Sequence, residues 1–217
     1  MLRFTKDLKP FKDETPLLFI PCDHRFSCGQ KFTAAEISLI KSGEVHSAMP
    51  IFQTADSLQR NVLLAKSSDV KPRNKVTKIL VNRMKLALIA TDGGVGIAAP
   101  QVGINRNIIW AQRFDKAEKP LEYFLNPKII WRSEILNLGP EGDLSIAEFR
   151  DQFYRSQVIQ LEYDDLDGRK HREIVEGFTA VIIQHEIDHF SGILISDKIE
   201  EQKNKKYQPI QFYKEIK

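Results

Sequence analysis

The chain has little cysteine. Its 217 residues include two, Cys22 and Cys28, and both lie near the amino terminus. They do not form a C-x-x-C pair, which excludes the usual cysteine-based zinc sites. From Thr33 onward there is no cysteine at all. Any metal site in that part of the chain must therefore use other residue types.

Long apolar runs and strong net charge are also missing. No apolar run approaches the roughly 20 residues that a membrane-spanning helix needs. The formal net charge is only +3, from 32 basic and 29 acidic residues. No dense stripe of lysine and arginine with interleaved aromatics marks a nucleic-acid surface. The length fits one ordinary domain plus an extension.

The amino-terminal thirty residues fit a signal peptide poorly. Residues 16–21 form a short apolar patch, which follows a mixture of acidic and basic residues. A signal peptide has a positive start, a longer apolar stretch and small residues at the cleavage site. We therefore expect a cytoplasmic protein. Export is the alternative, if residues 1–30 derive from a leader.

Helical patterns occupy the region before residue 92. Residues 33–36 form a capping box and Gly43 follows as a stop, which predicts a short helix. Residues 66–72 are polar and rich in turn formers, which predicts a loop. From Asn74 the apolar residues recur at helical spacing, and this second helix should end before Asp92.

After Gln101 the pattern changes to short strands. β-prone runs lie at 108–110, 123–125 and 129–131, with Asn126-Pro127 separating the last two. Alternating residues at 159–163 and a turn at 167–168 predict a hairpin that continues to 175. A buried helix follows at 178–191, and the chain after Glu200 should be a solvated tail. The pattern predicts an α+β fold, with mixed or antiparallel sheets wrapped around this central helix.

The central helix contains the most informative segment, H-E-I-D-H from His185 to His189. Residues four apart lie on one face of a helix, so both histidines can bind the same metal ion. Glu186 lies beside that face and can reach a water molecule there, as in metal-dependent hydrolases. A helix that carries two histidines by chance is the alternative.

Two histidines do not complete a catalytic metal site, which usually has three protein ligands and an open position. The longer H-E-x-x-H-x-x-G-x-x-H pattern fails, because its last position is Ile195. Downstream glutamates could supply the third ligand, namely Glu200, Glu201 and Glu215. Two upstream segments are further candidates: the glycine-rich residues 94–101, and residues 141–145, which we predict to form a loop.

In this order the three segments resemble the motifs of the peptide deformylases. Those motifs read G-Φ-G-Φ-A-A-x-Q, E-G-C-L-S and H-E-Φ-D-H, where Φ is apolar. The resemblance runs from about residue 49 to residue 199. It departs from the family at one position, because Asp143 stands where the family has its metal-binding cysteine.

The resemblance implies a role for each matching residue. Asp143, His185 and His189 would hold one divalent metal ion per chain, with Fe²⁺ expected and Zn²⁺ as the alternative. Glu186 would be the general base, and Gln101 with the backbone N–H of Leu144 would stabilise the oxyanion. The residues expected to contact the substrate are Gly94, Val95, Gly96, Gly142 and Arg150.

The resemblance also implies an activity, the removal of the formyl group from N-formylmethionyl peptides of newly made proteins. The expected partners are these peptides or nascent polypeptides, and the ribosome, with the protein acting as a monomer. The catalytic domain should span residues 49–205, between an extension at 1–48 and a polar tail at 206–217. Two alternatives remain: another metal-dependent amidase or peptidase on this fold, and a non-catalytic relative that binds formyl peptide or metal.

The replacement of cysteine by aspartate preserves charge but alters the ligand. Thiolate and carboxylate each carry −1, so the net charge of the metal site stays the same. A carboxylate is the harder ligand, and a set of two histidines and one carboxylate suits both iron(II) and zinc. It also removes an oxidisable thiolate. Asp143 therefore predicts a working but altered metal site.

Overall fold

The computed structural model describes residues 29–44 and 47–208, which form an α+β fold, as predicted. The helices are α1 (Ala34–Lys41), α2 (Ser57–Leu63), α3 (Lys75–Ile89), α4 (Gly177–Asp188) and α5 (Ile195–Lys203). Short 3₁₀ helices lie at Ala99–Val102 and His189–Ser191. The strands are β1 (Gly96–Ala98), β2 (Ile108–Gln112), β3 (Leu121–Arg132), β4 (Leu136–Asp143), β5 (Ile146–Ser156), β6 (Val158–Asp164) and β7 (Lys170–Glu176).

The described strands form two antiparallel sheets. Five of them pair in the order β1-β2-β3-β6-β7, which leaves β1 at one edge. β4 and β5 form a separate two-stranded ribbon. Because β1 is an edge strand, part of its backbone is open to pairing with another chain.

Strand β2 is apolar along most of its length and does not alternate with polar residues, because both of its faces are buried. Ile108 and Trp110 pack into one core with α3, whereas Ile109 and Ala111 pack into a second core with α4. Both faces of the strand are therefore buried, and a strand buried on both faces reads as a continuous apolar run. This arrangement packs α4 directly against the sheet, which fixes the position of its histidines relative to the strands.

The prediction of a loop at residues 141–145 was wrong for the first three residues. Glu141, Gly142 and Asp143 are the last residues of β4, and the pairing with β5 shifts register between Gly142 and Asp143. Only Leu144 and Ser145 form the turn. The strand was not predicted because it contains Gly139, Pro140 and Gly142, and glycine and proline are rare inside strands.

The prediction that Asn126-Pro127 separates two strands is wrong. β3 runs unbroken through the pair, with a register shift against β6 between Leu125 and Lys128. Asn126 adopts a left-handed φ of 52° and its side chain bonds to the backbone of Val70. A bulge of this kind absorbs a proline inside a strand.

The predicted helix after Thr33 is confirmed, including its capping box with Glu36. It packs on the main core, where Ile40 is fully buried. Two buried arginines hold this region in place. Arg83 donates to the carbonyl oxygens of Ile40, Ser42 and Ser47, and Arg106 pairs with Glu36 at 2.7 Å. The apolar patch at 16–21 lies outside the described residues.

The remaining helices show what the sequence patterns predicted and what they missed. α3 begins after its cap Asn74 and the segment 66–72 is a loop, as predicted. α2 was missed, although Asp56 caps it through the N–H groups of Leu58 and Gln59. The tail does not begin at Glu200, since α5 continues to Lys203. No helix among the described residues is long and apolar enough to cross a membrane.

Candidate metal centre

Helix α4 and the 3₁₀ turn that follows it carry the two histidines. His185 lies in the last turn of α4, and His189 is the first residue of the 3₁₀ turn. Gly192 ends this segment with a φ of 69°, and a side chain there would collide with the backbone of Leu64. The sequence predicted one helix to residue 191, whereas in the structure the last three residues form a tighter 3₁₀ turn.

Asp143 completes a group of three potential ligands with the histidines. One ligand atom from each of Asp143, His185 and His189 lies within 4.8 Å of the others. Asp143 Oδ2 is 3.7 Å from His189 Nε2. Within residues 29–44 and 47–208, neither Glu200 nor Glu201 belongs to such a group, and Glu215 lies beyond them.

The group fits a metal ion, because its buried polar atoms lack protein partners. Asp143 Oδ2, Glu186 Oε2 and both ring nitrogens of His189 are buried without a hydrogen bond to any described residue. Buried polar atoms are normally satisfied, so each such atom requires an explanation. A divalent cation bonded to the carboxylate and the imidazoles would satisfy several of them together.

A chain of ion pairs orients His185 from behind. Its Nδ1 lies 2.9 Å from Glu141, and since a carboxylate can only accept, Nδ1 carries the proton and Nε2 is left for a metal. Arg155 holds Glu141 through two bonds of 2.8 and 2.9 Å and also contacts Asp188. Such partners fix the orientation of a ligating histidine. Sequence patterns alone did not assign Glu141 or Arg155 this role.

The two histidines differ in proton affinity. Burial lowers the pKa of His189 to about 4, so this imidazole is neutral at pH 7. Burial also opposes charge on His185, but the hydrogen bond to Glu141 outweighs it and raises the pKa to about 9. A metal ion must therefore displace a proton from His185. Metal affinity is expected to fall as pH falls.

Glu186 is a buried carboxyl group whose surroundings favour its protonated form. It is 4% exposed, and burial raises the pKa of its carboxyl to about 8. Nearby cationic groups lower that pKa, so a metal ion beside Glu186 would return it toward the ionised form. Gly96 of β1 packs against it, and a side chain at Gly96 would collide with Glu186 Oε1.

A cavity of about 540 Å³ opens in front of these groups. Its wall includes every predicted substrate-contacting residue, namely Gly94, Val95, Gly96, Gly142 and Arg150. Gln101, Asp143, Leu144, His185 and Glu186 also face it. α4 contributes the apolar side chains of Phe178, Val181 and Ile182 to the wall, and the sequence analysis did not assign them to the site. The sequence analysis read them only as part of a buried helix, and Phe178 is in fact 48% exposed.

A buried cluster of one carboxylate and two imidazoles, with an adjacent acid and a cleft in front, defines a metal-dependent hydrolase. Residues 49–205 match the family described as polypeptide deformylase. The chain belongs to the peptide deformylase family, whose members are metalloenzymes that remove the N-formyl group from nascent peptides. The predicted family and activity are thereby confirmed.

Similar proteins are known from diverse bacteria. A peptide deformylase of Prochlorococcus marinus (strain NATL2A) is 32% identical over 178 residues, covering 79% of this chain and 83% of that protein. A peptide deformylase of Methylocella silvestris is 38% identical over 110 residues, which are 49% of this chain and 56% of that relative.

Solved structures show the same fold. The chain is similar to the peptide deformylase of Thermotoga maritima, with a TM-score of 0.63 and 30% identity over 70% of this chain and 97% of that one. It is also similar to a class I type b peptide deformylase from Acinetobacter baumannii, with a TM-score of 0.63 and 29% identity over 70% and 98% of the two chains. The predicted α+β fold class is confirmed.

Proposed function

We propose that the chain performs deformylation with a metal ion held by Asp143, His185 and His189. The observation that supports this most is the set of buried, unpartnered atoms on Asp143 and His189, which face one another at 3.7 Å. Aspartate in the cysteine position therefore has the surroundings of a ligand. A drifting surface residue would be exposed, whereas the Asp143 side chain is fully covered.

We expect Fe²⁺ as the native metal and Zn²⁺ as the alternative, one ion per chain. Two imidazoles and one carboxylate suit both ions, and the harder carboxylate disfavours soft metals. A bound divalent ion supplies Lewis-acid chemistry, in that it acidifies water and polarises the formyl oxygen. The other steps belong to residues of the chain.

Glu186 would act as the general base and then as the general acid. It takes a proton from the attacking water, whose oxygen forms a bond to the formyl carbon. It then gives that proton to the leaving nitrogen as the carbon–nitrogen bond breaks. Formate and a free α-amine result. Burial keeps the carboxyl group's pKa high enough for it to return the proton.

Gln101 and the backbone N–H of Leu144 would stabilise the negative charge that develops on the formyl oxygen. The Gln101 side chain is 1% exposed and borders the cavity, as does Leu144. Donors aimed at a developing charge are each worth about 3 kcal/mol. Their contribution is large because they are already fixed before the substrate binds.

The substrate peptide would pair along the free edge of β1. Gly96 begins β1 and Gly94 and Val95 lead into it, with the Val95 carbonyl already accepting from Gln112 of β2. β-strand addition along such an edge is a common mode of peptide recognition. Gly142 and Arg150, paired across the ribbon, would contact the peptide from the other side. The apolar wall of α4 suits a methionine side chain. A structure of the A. baumannii enzyme contains Met-Ala-Ser, a peptide of this type.

The expected partners are therefore N-formylmethionyl peptides and nascent polypeptides, met at the ribosome by a monomer in the cytoplasm. Other amides or peptides are the alternative substrates for a metal centre altered by Asp143. A non-catalytic relative that binds formyl peptide is disfavoured, because Glu186 and Gln101 both have the burial and position that catalysis needs.

A formate-release assay on a formyl-Met peptide tests the proposal, using protein purified and iron-loaded without oxygen. We expect turnover that is abolished by a chelator and restored by adding metal. Full metal content without formate release would favour the other amidase or peptidase activity. Neither metal nor turnover would favour the non-catalytic relative.

A further inference from the structure

The two carboxylate oxygens of Asp143 have different surroundings. Oδ1 accepts hydrogen bonds from Gln101 Nε2 at 3.0 Å and from the backbone N–H of Ser145 at 2.8 Å. Oδ2 has no hydrogen-bond partner in the described part of the chain, and it is the oxygen that faces His189. The carboxylate therefore enters the cluster with one oxygen engaged and the other free.

The Gln101 amide is itself fixed in one orientation. Its Oε1 accepts from the backbone N–H of Ala98 at 2.9 Å, so Nε2 must point to Asp143. The backbone of Gln101 is held as well, because its carbonyl oxygen accepts from Phe52 at 2.7 Å. A donor fixed at both ends cannot turn away from the carboxylate.

The second donor to Oδ1 is equally constrained. The peptide unit between Leu144 and Ser145 gives its N–H to Asp143, and its carbonyl oxygen accepts from Gln53 Nε2 at 2.9 Å. Thr54 also donates to the carbonyl of Ser145 at 2.9 Å. Both contacts to Oδ1 thus come from rigid groups, and together they block rotation of the carboxylate.

We infer that Gln101 is a positioning residue for Asp143, which makes the carboxylate bind metal through Oδ2 alone. The inference rests on the proposed metal site. Its physical reason is the change of ligand: a thiolate has a single ligating atom, whereas a carboxylate has two and must be oriented. Partners of this kind set metal affinity through the ligand that they hold.

The same amide then serves two functions with its two N–H groups. One N–H bonds to Oδ1 of Asp143, and the other is left for the oxyanion of the substrate. Loss of the amide should therefore weaken both metal binding and turnover in this chain. With a cysteine at position 143, loss of the amide should weaken turnover alone.

A double-mutant cycle on zinc affinity tests the inference. The proteins are the parent, Gln101→Leu, Asp143→Cys and the double variant, all purified without oxygen. Zinc dissociation constants come from competition with a chromophoric chelator, which requires no turnover. In the parent background, Gln101→Leu should weaken zinc binding by about 10- to 100-fold, as expected for a ligand-orienting partner. In the Asp143→Cys background it should leave zinc binding within about twofold.

Other outcomes overturn the inference in distinguishable ways. If the parent binds no zinc, the proposed metal site and the inference fall together. If the parent binds zinc and Gln101→Leu binds equally well, only the inference falls. It also falls if Gln101→Leu weakens binding equally in both backgrounds, which would indicate a general loss of structure. Gln53→Leu gives a second check, with a smaller loss expected in the parent background only.

Discussion

At the scale of single residues, the proposed mechanism assigns different roles to two carboxylates that line the same cavity, Asp143 and Glu186. Asp143 has Oδ1 hydrogen-bonded and Oδ2 free to bind a cation. Glu186 accepts no comparable pair of donors from the described residues, and burial raises the pKa of its carboxyl to about 8. These different surroundings support the two proposed roles, with Asp143 as a ligand and Glu186 as a proton carrier.

The first prediction concerns Glu186→Gln, which keeps the size of the side chain but cannot accept a proton. Formate release should fall by at least about 10²-fold, the low end for a lost general base. Metal content should stay at the parent level, because Glu186 is not a ligand. Turnover close to that of the parent would assign the base to another group.

The second prediction concerns Asp143→Cys, which restores the ligand of the family. Iron-loaded and kept without oxygen, this variant should deformylate formyl-Met peptides faster than the parent. In air it should lose activity faster than the parent, because it regains an oxidisable thiolate. Time courses of formate release with and without oxygen measure both effects. A variant that is slower without oxygen would mean that the site is adapted to the carboxylate.

At the scale of secondary structure elements, the site depends on how closely β1 approaches α4. Gly96 has Ile182 and Glu186 where a side chain would be, with Ile182 Cγ2 at 2.7 Å from the position of a Cβ. Glycine at this position therefore lets β1 pack directly against Ile182 and Glu186 of α4.

The third prediction follows from this contact. Gly96→Ala should displace Glu186 or β1 and lower formate release by about 10²-fold, the scale of a 1 Å misplacement. Metal content should be little changed. Gly139→Ala in β4 is the matched control, because no atom of the residues that the structure describes lies within 4 Å of its Cβ position, and it should retain activity. Equal activity in the two variants would contradict the proposed role of β1.

The elements also show where reading the sequence works and where it fails. A capping box predicted α1 and apolar residues at helical spacing predicted α3, because both signals are local to the helix itself. Strands β4 and β5 were not predicted, because their formation depends on pairing with each other and not on a local sequence pattern. The same limit applies to the site. The proposed ligands follow from sequence motifs, whereas the positions of Arg155 and of the apolar side chains of α4 at the site depend on contacts between distant segments.

At the scale of the whole molecule, residues 29–44, which precede the part that matches the family, pack onto the rest of the described chain. Ile40 lies in the same core as α3 and β2, and Arg106 ties Glu36 to residues 30, 31 and 68. The family match begins at residue 49, so α1 lies before the matched part of the chain and still packs into the same core. The predicted domain boundaries remain a prediction.

The fourth prediction tests how that helix is attached. Burial opposes ionisation of Glu36, but hydrogen bonds from Arg106 and Thr33 outweigh it and lower its pKa below 4.5. The contribution to stability is therefore present above pH 4.5 and is lost as pH falls through the lowered pKa. Glu36→Gln should cost roughly 1–2 kcal/mol in the free energy of unfolding at pH 7.

Urea denaturation at several pH values measures this contribution. The difference between the parent and Glu36→Gln should shrink as pH drops below 4.5. Glu118→Gln, at an exposed position, is the control and should change stability little at any of these pH values. A cost that stays constant with pH would show that the ionised carboxylate is not what holds the helix.

The central claim, that Asp143 acts as the third metal ligand in place of cysteine, is tested most directly by elemental analysis. The parent and Asp143→Ala are purified in parallel without oxygen, and iron and zinc are measured per chain. The account predicts close to one metal ion per chain in the parent and most of it missing in Asp143→Ala. Stoichiometric metal in folded Asp143→Ala would contradict the account and return the third ligand to the downstream glutamates.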